Sequence, residues 1–216
     1  MVATVAALRT SLQQQTRRTA ERLVAPLART GITPNGLTVM GLALNVVAGA
    51  VLASGAFVAG GLLVLIAGAF DMFDGALARV KNQKTVFGAF FDSTLDRYSE
   101  AAVFCGLQLA FLRELWAMDR PEPTWPAATG AILCYLVLVG SLMISYTRAR
   151  AEGLQPRVDC EVGWLQRPER IIVLGVGLLF PRPVLLAVLV ALAVVTQITV
   201  LQRIAHVRRL ADEQGR

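Results

Sequence analysis

The chain is poor in the residues that bind transition metals or form disulfide frameworks. Among its 216 residues there is a single histidine, His206, and the three cysteines form no CxxC pair (Cys105, Cys134 and Cys160). Structural zinc sites need clustered cysteine or histidine ligands, and disulfide frameworks need paired cysteines. The sequence therefore argues against both, and also against His-based metal ligation and a Ser-His triad.

Charged residues are scarce as well. They make up 17% of the chain, whereas 55% of the residues are hydrophobic; soluble domains average about 25% charged and 45–50% apolar. Several apolar stretches approach the roughly 20 residues needed to cross a hydrocarbon core of about 30 Å. This composition excludes a soluble globular domain. We assign the net charge of +6 to topology and anionic headgroups, and expect no nucleic-acid partner.

Apolar stretches along the chain predict an all-α integral membrane fold with six transmembrane helices. We place the spans at about 35–55, 57–80, 87–114, 126–150, 168–181 and 184–206. The first span is entered through Thr33-Pro34-Asn35, where either Thr33 or Asn35 would cap the helix and Pro34 suits its first turn. The whole chain, residues 1–216, is expected to form one domain, with the six-helix bundle at about 35–206.

Residues 1–30 precede the first span and are expected to form an amphipathic juxtamembrane helix. Ala20, Leu23, Val24 and Leu27 follow the i, i+3, i+4, i+7 pattern, with arginines nearby. This is the pattern of a helix that lies on the membrane surface; an unstructured basic leader is the alternative. A cleavable signal peptide is not expected, because the segment lacks a long apolar core.

The distribution of basic residues predicts the orientation. With six spans, all of the 21 Lys and Arg residues except Arg113, Arg120 and Arg182 fall on the side that carries both termini. Such an excess marks the cytoplasmic side. We therefore expect a multi-pass protein of the cell (plasma) membrane, with both termini and the active site facing the cytoplasm.

Four carboxylates lie at the ends of two predicted spans. Asp71 and Asp74 are three residues apart, and Asp92 and Asp96 are four apart, so each pair occupies one face of its helix. A short loop joins the two helices, which makes them expected antiparallel neighbours with four converging carboxylates. An all-oxygen site favours Mg²⁺ or Mn²⁺ over zinc, and four carboxylates suggest two ions.

Two other interpretations of this cluster remain open. The carboxylates would pair with Arg79 and Arg97 in a structural salt-bridge network, or they would form the ion or proton pathway of a transporter. Small residues on the same helices favour a ligand site, because Gly75, Ala78 and Gly88 leave the helix faces open. Close helix packing in lipid is the alternative explanation for them.

The eight residues together resemble the signature of the CDP-alcohol phosphatidyltransferase family, with no departure in type or spacing. The pattern is Asp71-x2-Asp74-Gly75-x2-Ala78-Arg79-x8-Gly88-x3-Asp92-x3-Asp96. The resemblance implies a six-helix, homodimeric membrane enzyme that displaces CMP from a CDP-linked lipid by attack of an alcohol. It also implies that the four aspartates hold two divalent metal ions and that Asp96 is the general base.

The resemblance further implies which residues contact the CDP-lipid. They lie at the start of the first span, in the signature and in the loop within it: Asn35, Gly36, Leu37, Thr38, Gly75, Ala78, Arg79, Thr85 and Gly88. An Asp is common in related synthases where this chain has Asn35.

A second, basic group of residues bears on the acceptor. Arg148, Arg170 and Arg203 come from three helices, and arginine suits bidentate recognition of phosphate. Their surroundings (Ser145–Glu152, Arg167-Pro168-Glu169-Arg170 and Gln202-Arg203) resemble the phosphatidylinositol phosphate synthases of actinobacteria and their archaeal counterparts. One departure is Arg148, which stands where the bacterial enzymes carry Lys.

This second resemblance implies transfer of a phosphatidyl group from CDP-diacylglycerol to a phosphorylated polyol, inositol 1-phosphate. Glycerol 3-phosphate is the alternative acceptor, because it too presents a phosphate. For the basic residues near the membrane surface, ordinary positive-inside decoration is the competing explanation.

Overall fold

A computed structural model describes residues 19–117, 125–154, 163 and 166–214, and within these residues the chain is helical, without strands. After a 3-10 turn at Leu27–Arg29, six α-helices follow in order. They are α1 (Pro34–Ala53), α2 (Phe57–Val80), α3 (Val86–Trp116), α4 (Trp125–Leu154), α5 (Arg167–Gly177) and α6 (Arg182–Gln214). Cys160 and Arg120, which are named in the sequence analysis, lie outside the described residues.

The helix boundaries agree with the expected spans at most ends. The clearest differences are at the end of α5, which stops at Gly177, and at both ends of α6. Thr33 caps α1, since its hydroxyl accepts a hydrogen bond from the Gly36 amide at 3.1 Å; Asn35 is inside the helix. The last helix begins at Arg182, before Pro183, because a proline in the first turn loses no helical hydrogen bond. It continues beyond 206, to Gln214.

Among the described residues, four helices are long and apolar enough to cross a membrane: α1, α2, α4 and α6. The third helix has the length but carries several charged residues in its first half. The fifth has 11 residues, which corresponds to about 16 Å and falls short of a hydrocarbon core of about 30 Å. The six-span count stays a prediction for these two helices.

Helices α2 and α3, which carry the carboxylates, both pack against α1. In the described part of the chain they are not closely packed against each other, contrary to the expectation from the short loop between them. The first helix contacts both α2 and α3, while α4 lies against α3 and α6, and α5 against α2 and α6. At the α1–α3 crossing a Cβ atom on Gly106 would overlap the Gly49 carbonyl oxygen, and one on Gly49 would overlap the Ala102 carbonyl oxygen. The two backbones therefore touch, as small residues permit between membrane helices.

The segment before α1 packs onto the protein. Residues 19–24 are helical, and Ala20 and Val24 are buried in a small core with Leu37, Ala76 and Leu77. Leu23, on the same predicted apolar face, is 61% exposed. Part of the amphipathic face is thus used for contact with α1 and α2, and its location on the membrane surface stays a prediction. Residues 1–18 lie outside the described part.

Candidate active site

The four aspartates of the signature meet between α2 and α3. Asp74 is 5% exposed, and it interacts electrostatically with Asp71 and with Asp96. Asp92 interacts in the same way with Asp74 and Asp71. The carboxylates of α2 therefore lie near those of α3, and the four side chains share one polar region.

An arginine lies inside this acidic group. Arg167, at the start of α5, places Nη2 at 2.8 Å from Oδ2 of Asp71 and Nη1 at 2.6 Å from Oδ1 of Asp96. Its side chain is 15% exposed. Arg97 lies 3.4 Å from Oδ2 of Asp96. The two guanidiniums offset part of the repulsion among the carboxylates.

The donors suit a divalent cation, although the side chains are not arranged as a cage. Within the described ranges, no three His, Cys, Asp or Glu side chains are disposed to hold a metal ion, and Arg167 takes the facing oxygens of Asp71 and Asp96. Oδ1 of Asp74 accepts from the Gly75 amide at 2.5 Å, but its buried Oδ2 has no hydrogen-bond partner in this part of the chain. A buried oxygen without a partner is costly, and a hard cation bound by oxygen ligands would satisfy it.

Sequence reasoning selected Arg170 from the Arg-Pro-Glu-Arg segment and missed the site role of Arg167. The available signal was helical spacing, because residues three apart share a face and α5 brings that face to the acidic group. The first turn of α5 is fixed by Glu169, whose Oε2 accepts from the Gln166 amide at 2.7 Å.

Beside the aspartates opens a cavity of about 240 Å³. Seven of the residues expected to contact the CDP-lipid line it: Asn35, Thr38, Gly75, Ala78, Arg79, Thr85 and Gly88. Asp74 and Asp92 form part of the same wall. The cavity therefore joins a carboxylate wall to a wall of small and polar residues, which suits a charged ligand accompanied by cations.

Two residues of the expected set lie elsewhere. Leu37 is 3% exposed and belongs to the small core beneath the leading segment, because its position on α1 turns it toward α2. Gly36 donates its amide to the Thr33 cap. Neither lines the cavity, and their contact with the CDP-lipid stays a prediction.

The cavity is also lined by residues that the motif did not indicate. Gln83 and Lys84, from the loop between α2 and α3, are among them. Lys84 adds an exposed cation to the lining of the cavity. Gly41, on α1, is a further missed residue, since a Cβ atom there would lie 2.9 Å from Oδ1 of Asp71. A glycine at this position leaves room for that carboxylate.

The loop side of the cavity is held by caps and by the leading segment. Thr85 caps α3, its hydroxyl accepting from the Gly88 amide at 2.9 Å. Arg79 is bound from the other side, with Nε 2.6 Å from Oε1 of Glu21. Lys81 donates to the carbonyls of Thr30 and Ile32, at 3.0 and 2.6 Å. These contacts anchor the segment before α1 at the rim of the cavity.

The three arginines expected to bind an acceptor phosphate differ in their surroundings. Arg170 is 3% exposed, with Nη2 3.3 Å from Oε1 of Glu100. Arg203 is 8% exposed and donates from Nη1 to the Ile144 carbonyl at 2.5 Å. Arg148 is partly exposed and pairs with Glu152 at 2.7 Å. Two of the three are therefore buried, Arg170 against Glu100 and Arg203 against the α4 backbone. Arg148 lies four residues beyond Ile144 on α4.

Comparison with known proteins relates this arrangement to lipid synthases. Residues 31–205 match the CDP-alcohol phosphatidyltransferase family profile. The chain is 36% identical over 203 residues to the phosphatidylinositol phosphate synthase of Mycobacteroides abscessus, covering 89% of this chain and 86% of that protein. It is 34% identical to the archaetidylinositol phosphate synthase of Methanothermobacter thermautotrophicus, covering 91% and 94%.

Solved structures show the same similarity. The Mycobacterium tuberculosis phosphatidylinositol phosphate synthase with CDP-DAG bound superposes with a TM-score of 0.74 at 35% identity, covering 88% of this chain and 94% of the other. The same enzyme in complex with manganese and citrate gives a TM-score of 0.72 at 34% identity, with 87% and 88% covered.

Proposed function

Because the chain belongs to the CDP-alcohol phosphatidyltransferase family and is an enzyme of that class, we propose that it transfers the phosphatidyl group of CDP-diacylglycerol to inositol 1-phosphate. The products are phosphatidylinositol phosphate and CMP. The observation that carries the proposal is the meeting of two groups of residues: a cavity walled by Asp74 and Asp92, and Arg167, which contacts Asp71 and Asp96 and precedes the buried Arg170 by one helical turn on α5.

The donor half of the site would be the cavity. Arg79, Lys84 and the amide-rich caps around Thr85 supply positive charge and donors for a nucleoside diphosphate. Gly75, Ala78 and Gly88 leave space for it against the helices. In support, a relative with 35% identity has been solved with CDP-DAG bound.

The aspartates would hold divalent cations, Mg²⁺ or Mn²⁺ and two in number. Asp71, Asp74, Asp92 and Asp96 are the residues concerned, and a relative has been solved in complex with manganese. When bound, such ions supply charge neutralisation at the diphosphate and so improve CMP as a leaving group.

Asp96 would act as the general base. It is the aspartate of the cluster that contacts both Arg97 and Arg167, and Arg167 lies on the same helix as the acceptor residue Arg170. The acceptor hydroxyl oxygen attacks the phosphorus of the phosphatidyl group, the bond to CMP breaks, and Asp96 accepts the hydroxyl proton as the new bond forms.

The acceptor's own phosphate would be held by Arg148, Arg170 and Arg203. Guanidiniums match the oxygens of a phosphate in pairs, and the relatives named above are inositol phosphate synthases. Glycerol 3-phosphate remains the second candidate. The arginines would bind the phosphate of either acceptor, and other residues would have to distinguish the polyols.

The membrane arrangement is part of the same proposal. Six spans in a single domain would place the cavity at the cytoplasmic face of the plasma membrane, and the enzyme would be a homodimer in contact with the bilayer. The four helices of spanning length and the membrane-enzyme family support a multi-pass protein.

The test is CMP release by purified protein with CDP-diacylglycerol and Mg²⁺. Inositol 1-phosphate, free inositol and glycerol 3-phosphate are compared, with EDTA as the metal-free control. Release that needs both Mg²⁺ and inositol 1-phosphate is expected. Release with glycerol 3-phosphate alone would retain the chemistry and replace the acceptor, and metal-independent ion transport without CMP release would favour the transporter interpretation.

A further inference from the structure

Glu100 is a buried carboxylate that the proposed reaction does not use. It lies on α3, four residues after Asp96, and is 1% exposed. An ionised carboxylate in the interior of a membrane helix is costly unless it is paired, and such residues are typically functional. Sequence reasoning did not select it, because it falls outside the signature.

The surroundings of Glu100 are basic. Its Oε1 lies 3.3 Å from Nη2 of Arg170, and the two side chains are 1% and 4% exposed. Arg97 and Arg167 also interact electrostatically with Glu100. Its Oε2 has no hydrogen-bond partner among the described residues. One carboxylate thus faces guanidiniums from its own helix and from α5.

Arg97 links this pair to the part of α4 that Arg203 contacts. Arg97, three residues before Glu100 on α3, donates from Nη1 to the Ser145 hydroxyl. The neighbouring carbonyl, that of Ile144, accepts from Arg203 at 2.5 Å. Glu100 therefore faces arginines of α3 and α5, and Arg97, one of these arginines, reaches α4.

We propose that Glu100 is a positioning residue for recognition of the acceptor phosphate, acting through Arg170; this inference rests on the proposed function. A guanidinium carries its donors in one rigid plane, so a bond to a buried carboxylate fixes the orientation of the whole fork. The negative charge also reduces repulsion among the arginines before the acceptor arrives. A phosphate then meets donors that are already ordered, which lowers the entropic cost of binding.

The chain offers a matched control for a merely structural role. Glu114, farther along α3, pairs with Arg182 at the start of α6. This ion pair also ties α3 to another helix, but it lies 14 residues beyond Glu100, away from the aspartates. Loss of either ion pair would lower the stability of the protein. Only loss of the Glu100–Arg170 pair would also weaken binding of the acceptor.

The experiment compares Glu100→Gln, Glu100→Asp and Glu114→Gln with the wild type in purified form. Two readouts are taken: KM and kcat for acceptor and CDP-diacylglycerol, and the rise in Tm caused by inorganic phosphate, which needs no turnover. The acceptor is whichever phosphorylated polyol the wild type uses.

For Glu100→Gln we expect the acceptor KM to rise about tenfold, the magnitude associated with a charged hydrogen bond, with the CDP-diacylglycerol KM close to that of the wild type. The phosphate-induced rise in Tm should be lost. Glu100→Asp keeps the charge, so its acceptor KM and its phosphate-induced rise in Tm should be close to those of the wild type. Glu114→Gln should lower Tm while leaving the acceptor KM and the phosphate response unchanged.

Equal changes in both KM values, or a phosphate response that persists in Glu100→Gln, would overturn the assignment. If the wild type releases CMP with glycerol 3-phosphate and not with inositol 1-phosphate, the proposed acceptor is wrong. The role of Glu100 is then tested by the KM for glycerol 3-phosphate. A wild type without any phosphate response would refute the role of Glu100 whatever the acceptor.

Discussion

Arg167 lies against Asp96, with Nη1 2.6 Å from Oδ1, and reaches Asp71 with its other terminal nitrogen at 2.8 Å. The same guanidinium thus holds one carboxylate from each helix of the acidic pair. Oxygens that face an arginine are less available to a cation, since the two positive charges repel each other at short range. Arg167 is therefore expected to compete with divalent metal ions for the site.

Replacing this arginine should tighten metal binding. Arg167→Gln removes the competing charge and leaves the carboxylates to repel one another until a cation binds, so the Kd for Mn²⁺ should fall about three- to tenfold. Mn²⁺ titration followed by electron paramagnetic resonance measures it directly. Arg150→Gln, at an exposed position on α4, is the control. Weaker Mn²⁺ binding in Arg167→Gln would show instead that Arg167 orders the carboxylates for the metal.

Asp96→Asn tests the assignment of the base. The amide keeps the size of the side chain but cannot accept the hydroxyl proton, so CMP release should fall by about 10²- to 10⁴-fold. CDP-diacylglycerol should still raise the Tm of the variant, because the cavity is unchanged. Asp212→Asn, at an exposed position on α6, should behave like the wild type. Full activity in Asp96→Asn would remove Asp96 from the role of base.

The contact between Glu21 and Arg79 predicts a donor-side effect of the leading segment. Glu21→Gln removes the partner 2.6 Å from Arg79 Nε and should raise the KM for CDP-diacylglycerol. The rise should be only about two- to fivefold, because both side chains are partly exposed and such pairs are screened by solvent. Steady-state kinetics with Glu213→Gln as control measures it. A change confined to the acceptor KM would contradict this link.

The α1–α3 crossing predicts a local sensitivity to volume. Gly106→Ala would place a methyl group against the Gly49 carbonyl, and overpacking of this kind typically costs about 1–3 kcal/mol. Gly153→Ala is the matched control, since no atom lies within 4 Å of a Cβ there, and alanine favours a helix. Thermal unfolding in detergent should show a lower Tm for Gly106→Ala only. Equal Tm values would mean that the crossing can widen without loss.

The helices and the signature were accessible from the sequence because both depend on local spacing. Asp71 and Asp74, and likewise Asp92 and Asp96, share a helix face by their separation alone. The seven expected residues that line the cavity were selected by the resemblance to the family. Leu37 shows the limit: it adjoins cavity residues in sequence, but its rotation around α1 turns it into the core.

Contacts between distant helices were not accessible in this way. Arg167 and Asp71 are 96 residues apart, and Arg170 and Glu100 are 70 apart. Which arginine meets which carboxylate depends on the rotation and the depth of α5 against α2 and α3. A pattern of charged residues does not contain that information.

The sequence by itself determined that this is a helical membrane chain with an acidic, family-specific site, because hydrophobic length and the spacing of eight residues are local properties. Only the tertiary structure decided that Arg167 faces the aspartates, that Glu100 holds Arg170, and that the leading segment reaches Arg79. The physical reason is that paired charges are selected by three-dimensional proximity and burial, and both arise from how the helices cross.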